Sequence, residues 1–68
     1  MAQVASEAIE EIDYEPGRST MFVRFTHGGW YSYYGIDSGT YEAFIAAQSH
    51  GRYFHEKIRN RYFFRRGR

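Results

Sequence analysis

Thr20-Met21-Phe22-Val23-Arg24-Phe25-Thr26-His27-Gly28-Gly29-Trp30-Tyr31-Ser32-Tyr33-Tyr34 is the stretch on which the fold of this chain turns. Met21, Val23 and Phe25 alternate with Thr20, Phe22, Arg24 and Thr26, the period of two expected of a strand with one buried face. His27-Gly28-Gly29 reads as a hairpin loop and Trp30 to Tyr34 as the returning strand. The parity of that second strand is ambiguous, because aromatic residues occupy both of its faces. A three-residue loop with a glycine in the left-handed region pairs Thr26 with Trp30 and sets Tyr31 and Tyr33 beside Val23 and Phe25. A two-residue turn puts the same tyrosines on the outer face. The first is favoured, because Ser32 then points outward. In that register Phe22, Arg24, Trp30 and Tyr34 share the face away from the core.

Upstream, Ala8, Ile12 and Tyr14 share one parity with Glu10, a blurred strand pattern, and Glu15-Pro16-Gly17-Arg18-Ser19 is a turn. Downstream, Asp37 is placed to cap a helix, with Ile36 packing on Tyr41 as a hydrophobic staple. Tyr41, Phe44 and Ile45 then face the core at helical spacing. Ser49 caps a second helix expected from His50 to about Asn60. On it Tyr53, Phe54, Lys57, Ile58 and Arg61 fall on one side, while Arg52, His55 and Arg59 fall opposite within an arc of about 60°. The order β-β-β-α-α predicts an α+β fold: a three-stranded antiparallel meander followed by two short helices packed on one face. Residues 6–66 form the single domain, with a disordered end over residues 1–5 and a tail over 67–68.

With 68 residues, the chain buries only about 60% of its unfolded surface, so its core is marginal. The sequence has no cysteine, which excludes disulfides and thiolate metal sites. Reinforcement falls to large side chains, and 21% of residues are aromatic. No apolar run approaches the ~18 residues of a membrane span, and the beginning of the chain lacks the layout of a secretory signal, so a cytoplasmic protein is expected.

The net charge of +1 hides an asymmetry: residues 1–42 carry −5 and residues 43–68 carry +6. Gly51 to Arg68 reads GRYFHEKIRNRYFFRRGR and holds seven of the nine basic residues against one acid, Glu56, with five aromatics interleaved. Guanidinium groups grip phosphates and aromatic faces stack on unpaired bases, so this mixture suits single-stranded nucleic acid. The plainer reading is that the aromatics are core and the arginines keep a small protein soluble, with Arg52 spent on Glu56 as a surface pair.

Taken together, Ser6, Ile9, Tyr14, Val23, Phe25, Gly29, Tyr31-Ser32-Tyr33, Ala47, Ser49, Gly51-Arg52-Tyr53-Phe54, Ile58-Arg59, Tyr62 and Arg65 resemble the KTSC domain. The likeness covers residues 6–66, and the Tyr-x-Tyr pair and the Ser-x-Gly-Arg-Tyr-Phe segment are its most specific marks. The family takes its name from the C-terminus of some lysyl-tRNA synthetases and also occurs alone in small bacterial and phage proteins. The resemblance implies RNA binding by association with a tRNA enzyme and brings no catalytic residues. This chain departs from the family at His55, where Asn is common, and at Trp30, where an aliphatic residue is.

Other chemistry is poorly served. His50 and His55 are five apart, which suits neither helical ligand spacing, so no metal is expected. His55, Glu56 and arginines supply parts of a nuclease, but no paired carboxylates for magnesium accompany them, so no enzyme and no cofactor are expected. Gly28-Gly29 lacks the spacing and following helix of a phosphate loop. Tyr31 and Tyr33 read as core rather than as ligand contacts. Two function classes stand. The leading one is an RNA or single-stranded nucleic-acid module using Arg52, His55, Arg59, Arg61, Arg65 and Arg66 for the backbone, with Arg24, Phe22, Trp30 and Tyr34 on the open sheet face. The other is a protein-interaction module or homodimer using that aromatic face and Tyr62-Phe63-Phe64.

Overall fold

The structure, a computed structural model, describes residues 2–3 and 8–68. Its five strands form one antiparallel sheet in chain order: β1 (Ala2–Gln3), β2 (Ile9–Glu15), β3 (Thr20–Phe25), β4 (Gly29–Tyr34) and β5 (Phe64–Arg66). Helix α1 (Ser38–Ala46) and the short α2 (His50–Tyr53), which runs on into a π-helical turn (Phe54–Ile58), lie between β4 and β5. The α+β class holds; the expected three strands are extended at both edges. Ala2–Gln3 pair with Glu11–Ile12 inside the end expected to be disordered, and the rest of residues 1–5, with Ser6 and Glu7, lie outside the described residues.

The hairpin β3–β4 has the expected parity, moved by one pair. Phe25 sits opposite Gly29, Arg24 opposite Trp30 and Val23 opposite Tyr31, so the three loop residues are Thr26, His27 and Gly28. Gly29, at φ 73°, supplies the left-handed residue that opens β4. Because the shift is even, Tyr31 and Tyr33 still fall on the face of Met21 and Val23. The blurred pattern of β2 has a physical cause. Ile9 pairs with Phe25 and Glu11 with Arg24, which leaves Glu10 as a bulge residue. The bulge reverses parity, so Ile9 and Ile12 both reach the core although three positions apart. In the turn between β2 and β3 it is Ser19, at φ 49°, and not Gly17 that takes the left-handed conformation.

Ile9, Ile12, Met21, Val23, Tyr33, Ile36, Phe44 and Ile58 form the core between the sheet and the helices. Phe44 is its largest fully buried side chain and stacks on Tyr53 with ring centroids 5.3 Å apart. Both caps form: Asp37 accepts from the Thr40 N–H at 2.7 Å and Ser49 from the Arg52 N–H at 3.2 Å. The second helix departs from expectation. The Arg59 N–H donates to the Phe54 carbonyl, five residues back, at 2.8 Å, and Asn60 stops the helix at φ 64°. The wider π-turn abolishes the regular wheel on which Arg52, His55 and Arg59 shared one stripe. The chain then returns to the sheet as β5, placing Phe64 opposite Tyr33, Arg65 opposite Ser32 and Arg66 opposite Tyr31. Phe64 and Arg66 therefore project to the helix side of the sheet and Arg65 to the far side.

Candidate nucleic-acid interface

On the helix side an open groove of about 420 Å³ runs between the sheet and the π-turn. Phe25, Tyr31, Tyr33, Phe54 and Phe64 wall it, and Arg59 and Asn60 close its rim. The rings meet in two geometries. Phe64 lies nearly parallel to Tyr33 at 5.8 Å, whereas Phe25 meets Tyr31, and Phe54 meets Tyr33, edge-on at 5.5 and 5.4 Å. Edge-on neighbours fix ring orientation and leave the face of Phe64 open, and that side chain is 57% exposed. Arg66 stands over Tyr31 with its guanidinium carbon 5.8 Å from the ring centre. Burial pushes the Tyr33 hydroxyl up to about 12; the neighbouring Tyr31 adds to the rise, and Arg59 opposes it. Tyr33 is thus a neutral hydroxyl at neutral pH.

The far face of the sheet is built from three cross-strand rows. Glu11, Arg24 and Trp30 form one, Asp13, Phe22, Ser32 and Arg65 the next, and Glu15, Thr20 and Tyr34 the third. Here three of the four arginines, Arg18, Arg24 and Arg68, meet acids, and Arg65 is in no ion pair among the described residues. Arg24 donates to Glu11 at 2.7 Å and lies 3.5 Å from Glu10; the Glu11 hydrogen bond leads the causes that raise its pKa. Arg18 reaches Glu15 at 3.7 Å, and Arg68 bonds Asp13. Gly67 and Arg68, expected as a loose tail, are tied down. The Gly67 N–H donates to the Trp30 carbonyl at 2.7 Å, and Ser32 Oγ donates to the Gly67 carbonyl at 2.7 Å. This explains why Ser32, which does face away from the core, is nevertheless buried.

The expected site residues therefore divide among several surfaces. Phe22, Arg24, Trp30, Tyr34 and Arg65 lie on the far face, where Phe22 and Trp30 are half-buried beneath Arg68 instead of forming an open platform. Arg59 and Arg66 lie at the groove. Arg52 pairs with Glu56 at 3.2 Å beside the α1–α2 joint, as an ordinary surface pair. His55 stays with Arg59, Nδ1 to Nη1 at 3.5 Å. Arg61 donates to the Glu56 carbonyl at 3.1 Å and borders a separate shallow depression with Tyr62 and Phe63. Tyr31 and Tyr33 are both core and wall; Phe25 and Phe54 were not named as site residues, and Phe64 was expected only at a protein interface. Strand parity already put Tyr31 and Tyr33 beside Phe25; the missing signal was β5, three residues too short to show a period. Among the described residues, no three His, Cys, Asp or Glu gather as a metal site, and no helix is long and apolar enough to cross a membrane.

This architecture is that of a known family. The family model for the KTSC domain matches residues 5–62, and the chain belongs to that family. A protein of Tsukamurella paurometabola is 34% identical over 62 residues, which cover 91% of this chain and 92% of that protein. The crystal structure of a KTSC domain protein from Yersinia pestis superposes with a TM-score of 0.96 at 28% identity, covering 98% of this chain and 94% of that one.

Proposed function

We propose that this KTSC domain is a binding module for single-stranded nucleic acid, RNA in the first place, and that the strand lies in the helix-side groove. One observation carries the reading: an aromatic groove is lined by Arg59, with Arg66 over its wall residue Tyr31, and among the described residues neither cation is in an ion pair. Arg59 and Arg66 supply the phosphate contacts, and the open face of Phe64 beside Tyr31 supplies the stacking platform. Stacking is tolerant of sequence because every base has a π-face, so the module binds with little base preference. No catalytic step is part of the proposal. Titrating short single-stranded RNA while following amide resonances tests it. Shifts at Tyr31, Arg59, Phe64 and Arg66, with affinity falling steeply as salt rises, support it. Shifts confined to the far face, or none, overturn it.

Phe63, 88% exposed next to the half-exposed Phe64, favours a second reading, an interface with a partner protein or a second copy. Salt separates the two, since burial of aromatic surface releases no counterions.

A further inference from the structure

The far face holds a site whose occupant comes from the chain itself. The Arg68 guanidinium carbon lies 4.4 Å from the ring centre of Phe22 and 4.6 Å from that of Trp30. Its Nη2 donates to Asp13 Oδ2, while the Tyr14 N–H donates to Oδ1 at 2.9 Å and holds the carboxylate in place. Two aromatic faces and an oriented carboxylate thus converge on one planar cation, the combination that recognises guanidinium better than a compact ammonium. The recess is partly desolvated: the Arg68 side chain is 33% exposed and that of Asp13 23%. Burial alone would raise the Asp13 carboxyl, yet the bonds from Arg68 and Tyr14 hold it below its ordinary value. Glu11 and Glu15 project from β2 on the same side, each already paired, with Arg24 and Arg18, so Asp13 is the carboxylate this recess offers.

We propose that Phe22, Trp30 and Asp13 form a guanidinium-binding site, filled in cis by Arg68 and open to an arginine side chain of a basic partner protein when Arg68 leaves. The site is exchangeable at the cost of a short segment's contacts: the two Gly67 hydrogen bonds and the Arg68–Asp13 bond. Arg68 follows a three-residue edge strand, all of it exposed, and leans on the sheet through Gly67. Leaving has a consequence on the other face. The same strand carries Phe64, a wall of the groove, so an arginine that displaces Arg68 loosens Phe64 as well. Occupancy of one face by a partner then opposes binding in the groove, a reciprocal coupling through β5. The coupling rests on the groove reading; the guanidinium site does not.

The test uses the full chain with Arg68→Ala, methylguanidinium as probe, and tetramethylammonium and sodium chloride at equal ionic strength as controls. Trp30 fluorescence and the Phe64 and Gly67 amide resonances are the readouts, and no nucleic acid is present. The expected result is a saturable response in the millimolar range with about tenfold preference for methylguanidinium. Asp13→Asn in the same background should abolish it, and the unsubstituted protein should respond only at far higher probe concentration, because Arg68 competes from within the chain. If Arg68→Ala proves poorly folded, Arg68→Gln replaces it. A response equal for all three salts, or equal in the unsubstituted protein and the variant, overturns the site. In the unsubstituted protein at saturating probe, where Arg68 is displaced, movement of Trp30 without Phe64 overturns the coupling alone, and loss of RNA binding with the site intact counts only against the groove.

Discussion

The two faces of this sheet differ in aromatic content and in how they hold charge: the strands put Tyr14, Phe25, Tyr31, Tyr33 and Phe64 on the helix side and Phe22, Trp30 and Tyr34 on the far side. On the helix side Tyr31, Tyr33 and Phe64 stand beside Phe25 and Phe54, with Arg59 and Arg66 in no ion pair among the described residues. On the far side Phe22 and Trp30 lie under Arg68, and Arg18, Arg24 and Arg68 each meet a carboxylate. A basic side chain already matched with an acid has little left to offer a phosphate, because binding must first break the existing pair. Composition counts arginines; only pairing decides which are available. The far face is therefore largely closed in the free protein, with Arg65 alone of its four arginines in no ion pair among the described residues, and the groove is open.

The largest expected effect tests whether the helix side is a packed layer at all. Phe44→Ala removes the largest fully buried ring, and about 3–5 kcal/mol should be lost. A domain this small has little more than that, so thermal or urea unfolding should find the variant largely unfolded at room temperature. A folded, cooperative variant would mean that the helices are not what buries the sheet.

Next comes the contrast between open and spent arginines. Arg59→Ala with Arg66→Ala should weaken binding of any single-stranded RNA uniformly, and flatten the plot of log affinity against log salt by about 1.4 units for two lost phosphate contacts. Arg24→Ala with Arg52→Ala removes the same charge from paired positions and should leave that slope nearly unchanged. Equal losses in both doubles would sink the distinction between the surfaces and restore a diffuse basic patch.

Phe64→Ala should cost about 1–3 kcal/mol of RNA affinity, the scale of one stacking platform, whereas Trp30→Ala should leave affinity within experimental error. Fluorescence of Trp30, the sole tryptophan, should be intermediate between buried and solvent-exposed and should not change on dilution.

The smallest effects are in pH. Tyr33 is pushed up to about 12 from an ordinary value of 10.0. The folded state holds this proton more tightly, so its stability is complete below pH 10 and declines as pH rises from there towards 12. Alkaline unfolding should therefore begin in that window, and Tyr33→Phe should delay it. Asp13 runs the other way: its folded carboxyl is held below the ordinary 3.8, so its contribution is present at neutral pH and disappears as pH falls through the folded value. Arg68→Ala should reduce the acid sensitivity; an unchanged acid profile would show that the Asp13–Arg68 pair adds nothing measurable.

Much of the fold was legible. The alternation of Met21, Val23 and Phe25 marked the core face of β3, and an outward Ser32 favoured the parity that β4 takes, between two the loop allowed. Asp37 and Ser49 marked both helix starts. The candidate site was half legible: Arg59 and Arg66 were named, but Tyr31 and Tyr33 were assigned to the core, Phe64 to a protein interface, and Phe22 and Trp30 to an open platform. Glu10 shows why the β2 pattern was blurred, since a single bulge residue turned Ile9 into the core against its apparent parity.

By itself the sequence determined what depends on neighbours within a turn or a hairpin: the period of β3, the caps, the buried face of α1, and the concentration of cations near the end of the chain. The tertiary structure decided the rest. Phe64-Arg65-Arg66 becomes a strand only because β4 offers it an edge, and that pairing sends adjacent arginines to opposite faces. The π-turn moves Arg59 to the groove, and Gly67 delivers Arg68 to Asp13 across the sheet. Each of these joins residues far apart in the chain, through hydrogen bonds and charge pairs whose partners no local period specifies.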